Sequence, residues 1–182
     1  MTLAPKRHGA VGWFAMMVLS LIVSACDWSR HAASLDAEVM ALLARMAIQD
    51  GDSYESFYLA EALRKEFHGS RSEPLEPRYR LGFSIRESKQ SSLLTSGGVP
   101  SFHVLVWHVS YHITETETGE LVFQGSYQQQ GTIDDPLQPL MMVTSMDHLR
   151  RQLGTVVASL IRARVVLYFH DQIHASKGRR HG

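Results

Sequence analysis

The chain carries a single cysteine among its 182 residues, Cys26. No internal disulfide can form, and zinc sites built from several thiolates are excluded. Charge of one sign is also lacking: 18 basic and 18 acidic side chains cancel, so no global basic field argues for nucleic acid. The signatures of catalysis are missing too. There is no nucleophile elbow, no phosphate-cradling glycine loop, no paired-carboxylate pattern and no helical His-Glu-x-x-His. Asp134-Asp135 stands before Pro136 and reads as a turn. These absences predict a protein that is not an enzyme and that uses no metal or cofactor. At 45% hydrophobic and 20% charged residues, the composition is that of a globular domain held by its core, not of a disordered chain.

Ten histidines are present, but their spacing does not suit a metal. His108 and His112 fall four apart on a strand, about 13 Å from one another. His170 and His174 share a helix face near its end, where polar residues compatible with the helix dipole are expected.

One long apolar run stands near the N-terminus. Lys6 and Arg7 precede it, and Ala10 to Val23 is almost continuously hydrophobic. Roughly 14 residues falls short of the about 20 needed to span a bilayer, and suits the apolar region of a signal peptide. The run ends Val23-Ser24-Ala25-Cys26: an aliphatic residue, two small residues, then the only thiol. That is the pattern of a bacterial lipobox. Small side chains admit the signal peptidase, and the thiol accepts a diacylglycerol whose chains anchor the protein at about 0.8 kcal/mol per buried methylene. Residues 1–25 are therefore expected to be a lipoprotein signal peptide, and 26–34 a lipidated tether.

The globular part is expected over 35–175, with a basic, mobile tail over 176–182. Leu35 to Gln49 fits either period: Leu35, Val39, Leu42, Leu43 and Met46 make a helical stripe, while Leu42, Ala44, Met46 and Ile48 alternate as a strand does. The strand reading, Leu42 to Gln49, is preferred. Asp52 or Ser53 caps a helix over Tyr54 to Phe67, with Leu59, Leu63 and Phe67 on one side and Tyr54, Phe57 and Tyr58 widening it. Arg78 to Glu87 alternates cleanly: Tyr79, Leu81, Phe83 and Ile85 point one way, and Arg78, Arg80, Ser84 and Arg86 the other. A polar loop is expected from Ser88 to Ser101, then strands over Phe102 to Thr114 and Leu121 to Gln129, joined by a hairpin in which Gly119 takes a positive φ. After the breaks at Pro136 and Pro139, a long helix from Thr144 or Ser145 to about His170 presents Leu149, Leu153, Val156, Leu160 and Leu167, with Val157 and Ile161 beside them. Two amphipathic helices need a surface and one apolar sheet face needs a cover. The expectation is an α+β two-layer sandwich, two helices packed on one face of a mostly antiparallel four-stranded sheet.

Several segments then form a familiar set: the lipobox with Cys26; Leu43-Ala44-Arg45-Met46-Ala47-Ile48 followed by a helix ending Leu63-Arg64-Lys65-Glu66-Phe67; the strand Tyr79-Arg80-Leu81-Gly82-Phe83; and the hairpin Tyr111-His112-Ile113-Thr114-Glu115-Thr116-Glu117-Thr118-Gly119-Glu120-Leu121-Val122-Phe123-Gln124-Gly125. Together they resemble the LptE family of lipopolysaccharide-assembly lipoproteins in its alphaproteobacterial form. The resemblance implies a non-enzymatic protein, lipid-anchored at the periplasmic side of the outer membrane, that plugs the β-barrel LptD and binds lipopolysaccharide. Under it, Arg78, Arg80 and Arg86, with Lys89 in the adjoining loop, are the candidates for lipid A phosphates, since guanidinium forks match phosphate geometry; the other reading is a solvated sheet face. Leu93 and Leu94 either touch acyl chains or the barrel wall, or pack locally. The basic tail, Lys177, Arg179 and Arg180, either meets anionic lipid heads or is a disordered end. Asp27, directly after the cysteine, keeps an alternative open: in enteric bacteria an aspartate there favours retention at the inner membrane, as suits an accessory lipoprotein of an ABC-type or lipid transporter.

Overall fold

The computed structural model describes residues 37–94, 100–134 and 139–178. Cys26, the expected signal peptide and tether, and residues 179–182 of the expected tail lie outside them. The chain divides into two units, Met1–Met40 and Ala41–Gly182. In the first, residues 37–40 are described and are helical, as the opening of a short helix, α1, over 37–43. The second holds β1 (Met46–Ile48), α2 (Tyr54–His68), β2 (Tyr79–Leu94), β3 (Pro100–Glu115), β4 (Leu121–Asp134) and α3 (Pro139–Gly178).

The fold is α+β, with the helices on one side of a four-stranded mixed sheet. The strand order is β1-β2-β3-β4; β1 and β2 are parallel, and the other pairs are antiparallel. A parallel pair needs a crossover, and α2 supplies it. Both periods read in the first segment are used in turn: the helix stops at residue 43, and Met46 and Ile48 are buried against Tyr79 and Leu81. The strand is thus shorter than the alternation suggested, because only three residues reach β2.

Ser53 caps α2, its Oγ accepting from the Ser56 N–H at 3.3 Å. Gly69, at φ +63, closes it by donating to the Lys65 carbonyl at 2.8 Å. Leu59, Leu63 and Phe67 are buried, as is Tyr58, whereas Tyr54 and Phe57 face outward. The apolar side is narrower than its aromatic residues implied.

The expected loop from Ser88 to Ser101 is corrected. β2 runs on to Leu94 and β3 starts at Pro100, paired without a shift down to Leu94↔Pro100. Ser88-Lys89-Gln90-Ser91-Ser92 lacks alternation, but backbone groups make the ladder and polar side chains do not prevent it. β4 likewise extends past Gln129 to Asp134. The β3–β4 hairpin closes as expected, with Gly119 at φ +70.

α3 also exceeds its expected bounds. Pro139 begins it instead of breaking the chain, since proline's missing N–H is harmless in a first turn. Its buried stripe is Leu149, Leu153, Val157, Ile161, Val165, Phe169 and Ile173, every fourth residue. Such a row drifts around the helix, so Val156, Leu160 and Leu167, expected on the apolar side, are exposed. By length and composition Leu140–Ser176 is apolar enough to cross a membrane, but this stripe is buried in the core. Leu81, Leu105, Trp107, Val109 and Ile113 of the sheet are buried in the same core.

Candidate functional site

The helices cover one face of the sheet; the other is largely exposed, with Val106 buried on it. Along β2 that second face carries Arg80, Gly82, Ser84 and Arg86, along β3 His108, Ser110 and His112, and along β4 Gln124, Ser126, Gln128 and Gln130. It is a polar lawn of amides, hydroxyls, imidazoles and two guanidinium groups. Gly82 makes room on it: a Cβ there would meet the His112 ring and Gln49 Oε1 at 2.6 and 2.5 Å. A shallow depression of about 660 Å³ opens beside it, lined by Ser84, Ser110, His112, Gln124 and Ser126 among others.

The four basic candidates do not converge. Arg80 and Arg86 stand on the open face, six residues and so about 20 Å apart, too far to hold one phosphate. Arg78 precedes β2; its Nε lies 3.6 Å from Glu115 Oε1 and its guanidinium 5.3 Å from the Tyr79 ring centre. Lys89 is not in a loop but within β2, paired with Leu105. Leu105 is buried on the helix side and cross-strand partners share a face, so Lys89 belongs to the helix side, away from the face that carries Arg80 and Arg86. Leu93 and Leu94 are in β2 as well.

A polar cluster on the helix side escaped the sequence reading. Glu87 accepts from Arg150 Nη2 at 2.7 Å, from Arg150 Nε at 3.0 Å and from Trp107 Nε1 at 2.8 Å. Arg150 Nη1 also reaches Asp147 at 3.4 Å. Asp147 accepts from the Tyr54 hydroxyl at 3.2 Å, and Tyr54 bonds Tyr58 at 2.7 Å. Burial raises the Glu87 pKa, but the bonds from Arg150 and Trp107 outweigh it and hold the carboxyl below its ordinary range. The bond to Glu87 raises Arg150 further, against burial. Tyr58 is raised by burial and by Tyr54. Both Glu87 oxygens are occupied, so the cluster ties α2, α3, β2 and β3 together and offers no free acid. One signal was available: Glu87 is a charge at an inward position of an otherwise apolar register.

Near the far end of α3, His170 and His174 approach to 3.2 Å between their Nε2 atoms. Among the described residues, no three His, Cys, Asp or Glu side chains gather in a way that suits a metal ion.

No family model matches the sequence, and no curated protein matches it. Solved structures do. The chain is similar in fold to "a putative lipoprotein from Caulobacter crescentus CB15". The TM-score is 0.62 at 15% identity, over 74% of this chain and 97% of that one. Weaker likenesses are to the rare lipoprotein B of Shewanella oneidensis (TM-score 0.46, 12% identity, 75% and 97% covered) and a minor lipoprotein of Acinetobacter baumannii (0.47, 15%, 67% and 88%). At such identity the first likeness concerns the fold, and the other two carry no further weight.

Proposed function

We propose that the chain is a lipid-anchored envelope protein of the LptE kind, a binding and assembly component rather than an enzyme. The observation that carries the reading is Val23-Ser24-Ala25-Cys26 closing an apolar run, with the only thiol at the one position where acylation needs it. The fold shared with the Caulobacter protein supports it. In this reading the domain sits at the periplasmic side of the outer membrane, plugs the LptD barrel and receives lipopolysaccharide. The open sheet face suits that ligand: amides and hydroxyls for sugar, with Arg80 and Arg86 as separate contacts for separate phosphates. Arg78 and Lys89 take lesser parts, one engaged with Glu115 and the other on the opposite parity.

Asp27 favours a second reading, an accessory lipoprotein of an inner-membrane ABC-type or lipid transporter. Purification of the native protein in gentle detergent separates the two. Recovery with a large outer-membrane barrel is expected; recovery with an inner-membrane permease instead would replace the first reading with the second.

A further inference from the structure

β4 is the last strand of the sheet, and among the described residues only β3 pairs with it. Fourteen residues of extended chain therefore present a row of backbone N–H and C=O groups along one open side. Edges of this length are ordinarily blunted with lysine, proline, inward charge or bulges. Between Leu121 and Ile133, β4 has no proline and no charged residue. Its ladder is regular from Phe102↔Asp134 to Ile113↔Phe123, and the single shift lies beyond that, at its first residues.

Beside this edge α3 sets a line at four-residue spacing: His148, Gln152, Val156, Leu160, Arg164 and Tyr168. Its place is given by contacts. His148, Gln152 and Val156 line one cleft of about 680 Å³ with Gln129 to Thr132. The Tyr127 hydroxyl donates to the Leu160 carbonyl at 3.3 Å. The Tyr168 ring stacks on Phe123 at 4.7 Å. Arg164 lies close enough to Tyr111 to work against the burial that pushes that hydroxyl up to about 12. Val156 and Leu160 are 42% and 37% exposed, and no carboxylate stands in the line, while Arg151 joins the same cleft.

The geometry points to β4 as a docking edge for an extended, acidic segment of another polypeptide, which adds to the sheet as a fifth strand. Its backbone satisfies the open row of donors and acceptors, and its side chains alternate. Those on the helix side pair apolar groups with Val156 and Leu160 and carboxylates with Arg151 and Arg164. Those on the other side extend the Gln124 to Gln130 face. A second copy of the chain fits less well, because antiparallel β4–β4 pairing would set two Arg164 lines side by side. The inference does not depend on which envelope machine the protein serves.

The test uses the full chain in its own cells, with a photo-crosslinking side chain placed in turn at Ser126, Gln128 and Gln130, and at Ser159 on the exposed side of α3 as control. The expected result is adducts from the three β4 positions to one segment of one partner, rich in Asp or Glu. Each two-residue step along β4 should move the attachment point two residues along that segment. Arg164→Glu should reduce the Gln128 adduct on the order of tenfold while the far-ultraviolet circular dichroism stays that of the parent. Four outcomes would overturn the inference: equal adducts from Ser159, adducts without the two-residue step, attachment to β4 of a second copy or to the chain's own ends, or no adduct from any β4 position.

Discussion

Glu87 follows the inward row Tyr79, Leu81, Phe83 and Ile85, and the guanidinium of Arg150 is what lets a charge stay there. The two are only 14% and 18% exposed, so removing one partner leaves the other in a poor dielectric. Arg150→Met is expected to cost about 3 kcal/mol in chemical denaturation. Glu87→Gln keeps an acceptor for the Trp107 N–H and should cost roughly 1–2 kcal/mol. The pair also imposes a pH dependence. The folded-state pKa of Glu87 is lowered, so its contribution is complete above the unfolded value and is lost as pH falls through the folded one. Stability should therefore decline on the acid side, and Glu87→Gln should flatten that limb; an unchanged limb would show that other carboxylates govern it. On the opposite face, Arg80 and Arg86 stand exposed, where substitution costs the fold little. Arg80→Glu with Arg86→Glu should leave the melting temperature nearly unchanged and weaken lipopolysaccharide binding about tenfold or more. Equal affinity would mean a merely solvated sheet face. The outward arginines were legible in the sequence because alternation assigns faces. Their separation follows from the same strand rise; what the sequence hid is that the strand continues past Glu87, which puts Lys89 in β2 and not in a loop.

At the scale of elements, alternation and capping found α2 and three of the four strands within a few residues. What stayed hidden were ends. β2 continues through Ser88 to Ser92 against β3, where polar side chains mask a ladder made by backbone. In α3 the expected Leu149 and Leu153 are buried, but the row continues through Val157, Ile161 and Val165, and Val156, Leu160 and Leu167 fall outside it. At Gly154 α3 comes close against the α2 backbone, a Cβ there standing 3.0 Å from the Tyr58 carbonyl oxygen. That neighbour is backbone and yields little. Gly154→Leu should prise the helices apart and cost about 2–3 kcal/mol in denaturation, whereas Leu167→Ala, on the exposed side, should fall within about 0.5 kcal/mol of the parent. Similar losses for both would remove the helix–helix contact from the account.

At the scale of the molecule, two amphipathic helices and one apolar sheet face were enough to derive the two-layer arrangement, because few other packings bury all three. The partner was not derivable in the same way: an open sheet face and an open edge show that surface is left to use, and the envelope location proposed for the protein rests on the sequence around Cys26. Lipid on that thiol underlies everything proposed about location and function. Mass analysis of the protein purified from its own membranes tests it most directly. The account predicts a mature chain beginning at Cys26, with a diacylglycerol on sulfur; a retained leader, or a free thiol on a cleaved chain, would contradict it.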